Sequence, residues 1–304
     1  MTQPGRSIGV TEWLRDLFAG VGELPLALLT QLGDVWFLFL LAGGCYVAFS
    51  TSTSPARRRR GAFVLALPIV YIVLVSAMKG AFELPRPPRA GVAPTIPWLP
   101  TFFVPVFENT ATATGYGFPS GHAIGTTLVW GGVGLVLDRR PRGYRTALVA
   151  GVVGLVAFSR LALGVHYFVD VVAGTAIGLG VLFGLYWLSA RGTEPGRVFV
   201  VAVAVGVVAV LTQQSFDSVI ALGGAAGAAL GWYGLVDNEV SFSVTRTTVA
   251  LSLTVFLVTV VGFGVLYVVQ PPLPLMFGVS VLAAALVVGV PDVGHRLARR
   301  VEAS

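Results

Sequence analysis

Long apolar runs follow one another from residue 34 almost to the end of the chain, parted by short loops that hold most of the charge. A membrane span needs about 20 such residues. Runs of that order lie near 34–50, 61–78, 121–138, 146–163, 167–188, 198–213, 216–235, 247–269 and 273–290. Composition agrees: 55% of residues are hydrophobic and 11% charged, where a soluble domain carries about 25% charged residues. The pattern predicts an all-α, polytopic transmembrane helical bundle of nine spans. Residues 11–32 mix charges with Leu and Phe at helical spacing and predict an amphipathic helix on the membrane surface, broken near Pro25.

Loop charge predicts the orientation. ARRRR (56–60), DRRPRGYR (138–145), RGTEPGR (191–197), Arg246 and HRLARR (295–300) hold 14 of the 20 basic residues. With nine spans and an outer N-terminus, all five segments fall on one side. Positive loops stay in the cytoplasm, so the N-terminus is expected outside and the C-terminus inside, in the plasma membrane. The high pI has this topological origin and does not argue for nucleic acid. Cys45 is the only cysteine, which leaves no intramolecular disulfide and no cysteine-based metal site. The opening MTQPGRSIGVTEWLRDLF lacks an apolar core ending in small residues, so no cleavable signal peptide is expected.

The chain divides into residues 1–190, an amphipathic helix plus five spans with every unusual polar cluster, and residues 191–304, four Gly/Ala/Val-rich spans. In the second part GGAAGAALG (223–231) suits lateral packing or homodimerisation. His295, among cytoplasmic arginines, is expected to be solvated. The long stretch 88–118, with Trp98, Phe102, Phe103 and Phe107, reads either as an interfacial anchor or as a lid over a lipid site.

Three polar clusters fall on the predicted outer face. KGAFELPRP carries Lys79, the only lysine of the chain, and Arg86; FPSGH carries Pro119, Ser120, Gly121 and His122; SRLALGVHYFVD carries Ser159, Arg160, His166 and Asp170. Singly, each has a plain structural reading: a snorkelling lysine, a serine helix cap, a salt bridge between helices. Together they bring ionisable groups from three helices to one side of the membrane, where such groups are costly and usually functional. Lys79, Arg86 and Arg160 supply cations suited to phosphate. Ser120-Gly121 at a helix start adds N–H donors. His166 and Asp170 are four apart and share a helical face. The carboxylate can hold one ring nitrogen and leave the other free to attack. His122, from another helix, can serve as the acid. A zinc site of His122, His166 and Asp170 is the rival chemistry, though three cations at one spot would repel a dication. Glu83, inside the first cluster, is unfavourable near phosphate unless it pairs with Lys79 or Arg86.

The pattern K-x6-RP, PSGH and SR-x5-H-x3-D resembles the signature of the type-2 phosphatidic acid phosphatase superfamily, membrane lipid phosphatases related to vanadium haloperoxidases. All eleven fixed positions are present over about residues 30–190: Lys79, Arg86, Pro87, Pro119, Ser120, Gly121, His122, Ser159, Arg160, His166 and Asp170. The resemblance implies that His166 is the nucleophile and forms a phosphohistidine, that Asp170 orients it, and that His122 protonates the leaving oxygen and then activates water. Lys79, Arg86, Ser120, Gly121 and Arg160 would hold the phosphoryl oxygens. No metal or other cofactor is implied. The partners expected are a lipid phosphate substrate and the membrane. The chain departs from the pattern in lacking the family's first span and in adding four at the end. The same residues also fit a lipid-phosphate binding or transport protein, or a lipid phosphotransferase.

Overall fold

The computed structural model describes residues 6–20, 22–50, 54–138, 140–236 and 245–303. Arg139 of the second basic loop and the side chain of Arg246 lie outside the described residues. The fold is all-α, 79% helical, with no strands among the described residues. Its helices are α1 (Val10–Phe18), α2 (Glu23–Thr30), α3 (Val35–Ser50), α4 (Pro55–Phe82), α5 (Val104–Ala111), α6 (Gly121–Val136), α7 (Arg142–Ala162), α8 (Phe168–Leu188), α9 (Pro195–Thr212), α10 (Phe216–Gly234), α11 (Arg246–Val269) and α12 (Leu273–Ala303).

A helix stands at each of the nine expected places. Six of them are long and apolar enough to cross a membrane: α4, α7, α8, α9, α11 and α12. The number rises to seven if Glu23–Gly33 and Val35–Ser50, bent by 44° at their junction, count as one span. The shortfall has physical causes. The 16 residues of α6 reach only about 24 Å at 1.5 Å per residue, short of a hydrocarbon core of about 30 Å. In α10 glycine and alanine dilute the apolar character. The amphipathic stretch is two helices. The first ends at Phe18 and the second begins at Glu23, with Pro25 inside the first turn of α2, where a missing N–H is harmless.

The chain forms two compact units. The first comprises Met1–Leu41 and Met78–Phe183, the second Ala42–Ala77 and Gly184–Ser304, so α3, α4 and α8 contribute to both. In the first unit α1 and α2 pack against α7, and α7 against α6. Leu14, Leu26, Phe107, Ala123, Leu161, Val165 and Val171 share its core. The turn Gln31–Gly33 is pinned to α6 by the indole of Trp130, which donates to the Leu32 carbonyl at 3.0 Å. The stretch 88–118 is not a bare loop. It holds a 3-10 turn (Thr101–Phe103) and α5, buries Phe107, and leaves Trp98, Phe102 and Phe103 exposed.

The second unit is built on close backbone approach. Residues Gly61–Tyr71 of α4 form a continuously buried run, as expected of a helix apolar all round. Gly223, Gly227 and Gly231 of α10 face α12. A β-carbon would meet the Phe277 carbonyl oxygen at 2.9 Å from Gly223 and the Ala285 carbonyl oxygen at 2.6 Å from Gly231, and would collide with the Val281 backbone from Gly227. Spacing of four puts these glycines on one face, the small-residue device of membrane helix pairs. The α11 helix packs against α12, yet none of its apolar window is buried. The expectation for His295 is corrected: α12 continues to Ala303 and carries His295, together with Asp292, onto a buried face rather than into solvent.

Candidate active site

All the site residues expected from sequence lie in the first unit. Lys79 stands half-buried in the last turn of α4. Beyond Glu83, whose φ of 49° turns the chain, Arg86 reaches back. Its Nε donates to the Thr114 carbonyl at 2.9 Å and its Nη1 to the Val165 carbonyl at 3.0 Å, with His166 Nε2 also 3.0 Å from Nη1. Pro87 begins the next turn, accepting from the Ala90 N–H. Glu83 pairs with neither Lys79 nor Arg86. Tyr116 lies beside it, and the Glu83 carboxylate raises the phenol above its usual value.

Ser120 is the N-cap of α6 and wholly buried; its Oγ accepts from the Ala123 N–H at 3.5 Å. Pro119 before it follows a cis peptide bond, and Gly121 is the first helical residue. The Ser120 N–H donates to the Asp170 carbonyl at 3.0 Å, so the second and third clusters are tied through backbone. Close approach makes this possible. A β-carbon on Gly174 of α8 would lie 2.8 Å from the Ser120 carbonyl oxygen.

The third cluster spans the end of α7 and the start of α8. The Ser159 hydroxyl donates to the Val156 carbonyl at 2.8 Å, and Arg160, 3% exposed, donates from Nη1 to Thr30 Oγ1 at 3.1 Å. Gly164, at φ 70°, turns the chain back. His166 therefore precedes α8 instead of sharing a helical face with Asp170. The two still meet across the helix start. Asp170 Oδ2 accepts from the Tyr167 N–H at 3.0 Å and lies 3.6 Å from His166 Nδ1. That last distance is an ion-pair separation, too long for a good hydrogen bond.

These contacts assign the His166 tautomer. A guanidinium is donor only, so Nε2 beside Arg86 must be the acceptor. The ring proton then sits on Nδ1, toward Asp170, and the Nε2 lone pair points at the cationic cluster. Burial holds His166 well below the ordinary histidine value, helped by Arg86, Arg160, Lys79 and His122 in that order. The imidazole is therefore neutral at neutral pH. Three cations, Arg86, Arg160 and Lys79, and a second histidine, His122, thus act on one ring.

His122 approaches from the first turn of α6. Its Nε2 lies 3.8 Å from Asp34 Oδ2 at the start of α3. Gly33 permits this approach, since a β-carbon there would stand 2.7 Å from Val156 Cγ1 and 3.4 Å from His122 Cδ2. Asp34, Thr30 and Arg6, which bonds Asp170 Oδ1, escaped the sequence reading. Asp34 reads as the polar start of a span, Thr30 as part of a surface helix, and Arg6 as a terminal charge. Among the described residues no group of three His, Cys, Asp or Glu side chains is arranged to hold a metal ion. The cluster presents donors and positive charge to an anion at a neutral imidazole.

The family model described as PAP2 superfamily matches residues 59–194. No curated protein and no solved structure matches the chain. The matched segment contains Lys79, Arg86, Ser120, Gly121, His122, Arg160, His166 and Asp170, while Arg6, Thr30 and Asp34 precede it. This match supports a phosphatase-type activity on phosphate esters, and together with the apolar helices it points to an integral membrane protein. Over residues 59–194, and with the site residues of all three clusters inside that span, the chain is similar to the PAP2 superfamily.

Proposed function

We propose that the protein is a membrane lipid phosphatase that hydrolyses a lipid phosphate monoester or a polyprenyl diphosphate through a phosphohistidine on His166. The observation that carries this reading is the geometry of one ring: Arg86 Nη1 3.0 Å from Nε2 and the Asp170 carboxylate on the Nδ1 side. The phosphoryl oxygens take over the donors of Arg86, with Lys79, Arg160, the Gly121 N–H and Ser120. Nε2 attacks phosphorus, the bond to the leaving oxygen breaks, and His122, protonated once the anionic phosphate offsets the surrounding cations, gives that oxygen its proton. Nδ1–H stays on the ring, and Asp170 offsets the positive charge that phosphorylation creates. Neutral His122 then takes a proton from water, the hydroxide attacks phosphorus, and the P–N bond breaks. Inorganic phosphate leaves and His166 is restored. Asp34 orients His122 through both steps.

The membrane arrangement follows the same reading. Nine helices cross, the N-terminus faces out, the C-terminus faces the cytoplasm, and the site opens at the outer surface of the plasma membrane. The sorting of the basic loops to one side supports this. Residues 11–32 lie on the outer surface, supported by exposed Trp13 and Leu17 against buried Leu14 on α1. Residues 1–190 are the phosphatase core and 191–304 a four-span extension whose Gly/Ala face packs within the chain. Tails of the substrate lie in the bilayer with the phosphate at its edge.

The test is phosphate release by the detergent-purified protein, with EDTA present, from phosphatidic acid, phosphatidylglycerol phosphate and a polyprenyl diphosphate, beside His166→Gln. Release that survives EDTA and vanishes in the variant is expected. No release from any of the three, or equal release by the variant, overturns the reading.

A further inference from the structure

One arginine outside the family-matched segment ties two of the three clusters together. Arg6 precedes α1. Its Nη2 and Nε donate to Asp170 Oδ1 at 2.7 and 3.2 Å, and its Nη1 donates to the Pro85 carbonyl, next to Arg86, at 3.0 Å. The guanidinium lies 5.1 Å from the ring centre of Tyr167 and 5.8 Å from that of Phe118. Asp170 is wholly buried, and the Arg6 side chain is 11% exposed. From the same stretch the Thr11 hydroxyl donates to the His166 carbonyl at 3.0 Å.

The two carboxylate oxygens of Asp170 have separate tasks. Oδ2 accepts from the Tyr167 N–H and faces His166 Nδ1; Oδ1 is taken by Arg6. A buried carboxylate without a cation takes up a proton. A protonated Asp170 would no longer stabilise a positively charged, phosphorylated ring. The charged and titratable groups around Asp170 are Arg6, Arg86, His166 and Tyr167, with Lys79, Arg160 and His122 beyond the imidazole. Arg86 is held by Thr114, Val165 and His166 Nε2, and it turns to phosphate when substrate arrives. Arg6 keeps its grip throughout.

We propose that Arg6 is a positioning residue: it keeps the Asp170 carboxylate ionised and turned toward His166 Nδ1, without touching the phosphate. This rests on His166 being the nucleophile. The experiment uses the full chain in detergent with Arg6→Gln, Arg6→Lys and Arg15→Gln. Arg15 tethers the same N-terminal stretch, donating to the Pro88 carbonyl at 3.2 Å, and serves as a control for loosening of that stretch. Two readouts are taken: kcat and KM for phosphate release across pH, and the 15N resonances of His166 in histidine-labelled protein.

Arg6→Gln is expected to lower kcat about 10–100-fold, the range for losing an outer partner that orients a histidine. KM is expected to stay within about twofold. The acid limb of kcat moves to higher pH, because the carboxylate has lost its cation, and the His166 Nδ1–H resonance shifts. Arg6→Lys restores part of kcat, and Arg15→Gln resembles the parent. An Arg6→Gln protein with unchanged kcat and unchanged His166 resonances overturns the proposal. So does a kcat loss that Arg15→Gln reproduces with no movement of the acid limb. If the parent releases no phosphate but Arg6→Gln still shifts the His166 resonances, the phosphatase reading fails while the Arg6–Asp170–His166 coupling stands.

Discussion

In the first unit Ser120, Arg160, His166 and Asp170 are all buried, and each is also held by a contact from a distant part of the sequence: the Ser120 N–H on the Asp170 carbonyl, Arg160 on Thr30, Arg86 beside His166 and Arg6 on Asp170. In the second unit backbone groups of α12 crowd the bare α-carbons of Gly223, Gly227 and Gly231, leaving no room for a side chain. The units share an apolar vocabulary and differ in what their close contacts are for. Buried polar groups cost free energy unless paired, so the first unit gives each of these four residues a partner and thereby fixes geometry. The second unit, with little to gain from apolar burial between helices in lipid, relies on close backbone packing. Disturbance of the first should change chemistry, and disturbance of the second should change stability.

The largest expected effect is on the first side of that contrast. Asp170→Asn keeps shape and removes the charge that holds the Nδ1–H tautomer. Phosphate release should fall on the order of 10⁴-fold while the protein still elutes as a monodisperse species. A loss under tenfold would mean that the carboxylate is structural. Next, Arg86→Gln removes a preorganised donor, raising the barrier by about 2.7–4 kcal/mol; steady-state kinetics on the purified variant measure it. On the other side, Gly227→Val should lower stability by about 1–3 kcal/mol through overpacking against the Val281 backbone, read as a drop in thermal midpoint, with release per folded molecule unchanged. If that variant stays fully stable but loses turnover, the contrast between the units collapses.

The gentlest test reads the parent protein itself. His166 is held well below the ordinary value by burial and its cationic neighbours. It binds its proton less readily folded than unfolded, so its contribution to stability is present above about pH 6.5 and is lost as pH falls toward the lower folded value. With three histidines in the chain, 15N-histidine spectra across pH, assigned with His166→Gln, should show His166 neutral and protonated on Nδ1 at pH 6.5. A midpoint at or above that pH contradicts the tautomer assigned from Arg86.

The clusters were legible because ionisable residues stand out against apolar runs, and their spacing placed them at helix ends. Lys79, Ser120, Arg160, His166 and Asp170 needed no coordinates to be singled out. Arg6 did not stand out: it meets Asp170 across 164 residues, and neither period nor motif links them. Asp34 was hidden at the edge of an apolar run, and its approach to His122 depends on Gly33, whose role is visible only from what a side chain there would strike. The partner of Glu83 was missed because Tyr116 lies on the far side of a folded excursion. Helix positions followed from the apolar runs, whereas helix lengths did not. Hydropathy finds α6 but does not reveal that it is 16 residues long.

The most direct measurement is covalent trapping. The His122→Gln protein, which lacks the group that activates water, is mixed with a polyprenyl diphosphate labelled on its terminal phosphoryl group, whose phosphate leaving group departs without the proton that His122 supplies, in the presence of EDTA, quenched in alkali and digested. The account predicts an alkali-stable, acid-labile phosphoryl label on the peptide carrying His166, absent from the His122→Gln/His166→Gln protein. Turnover by the parent protein with no label on that peptide, or a label that persists without His166, would contradict it.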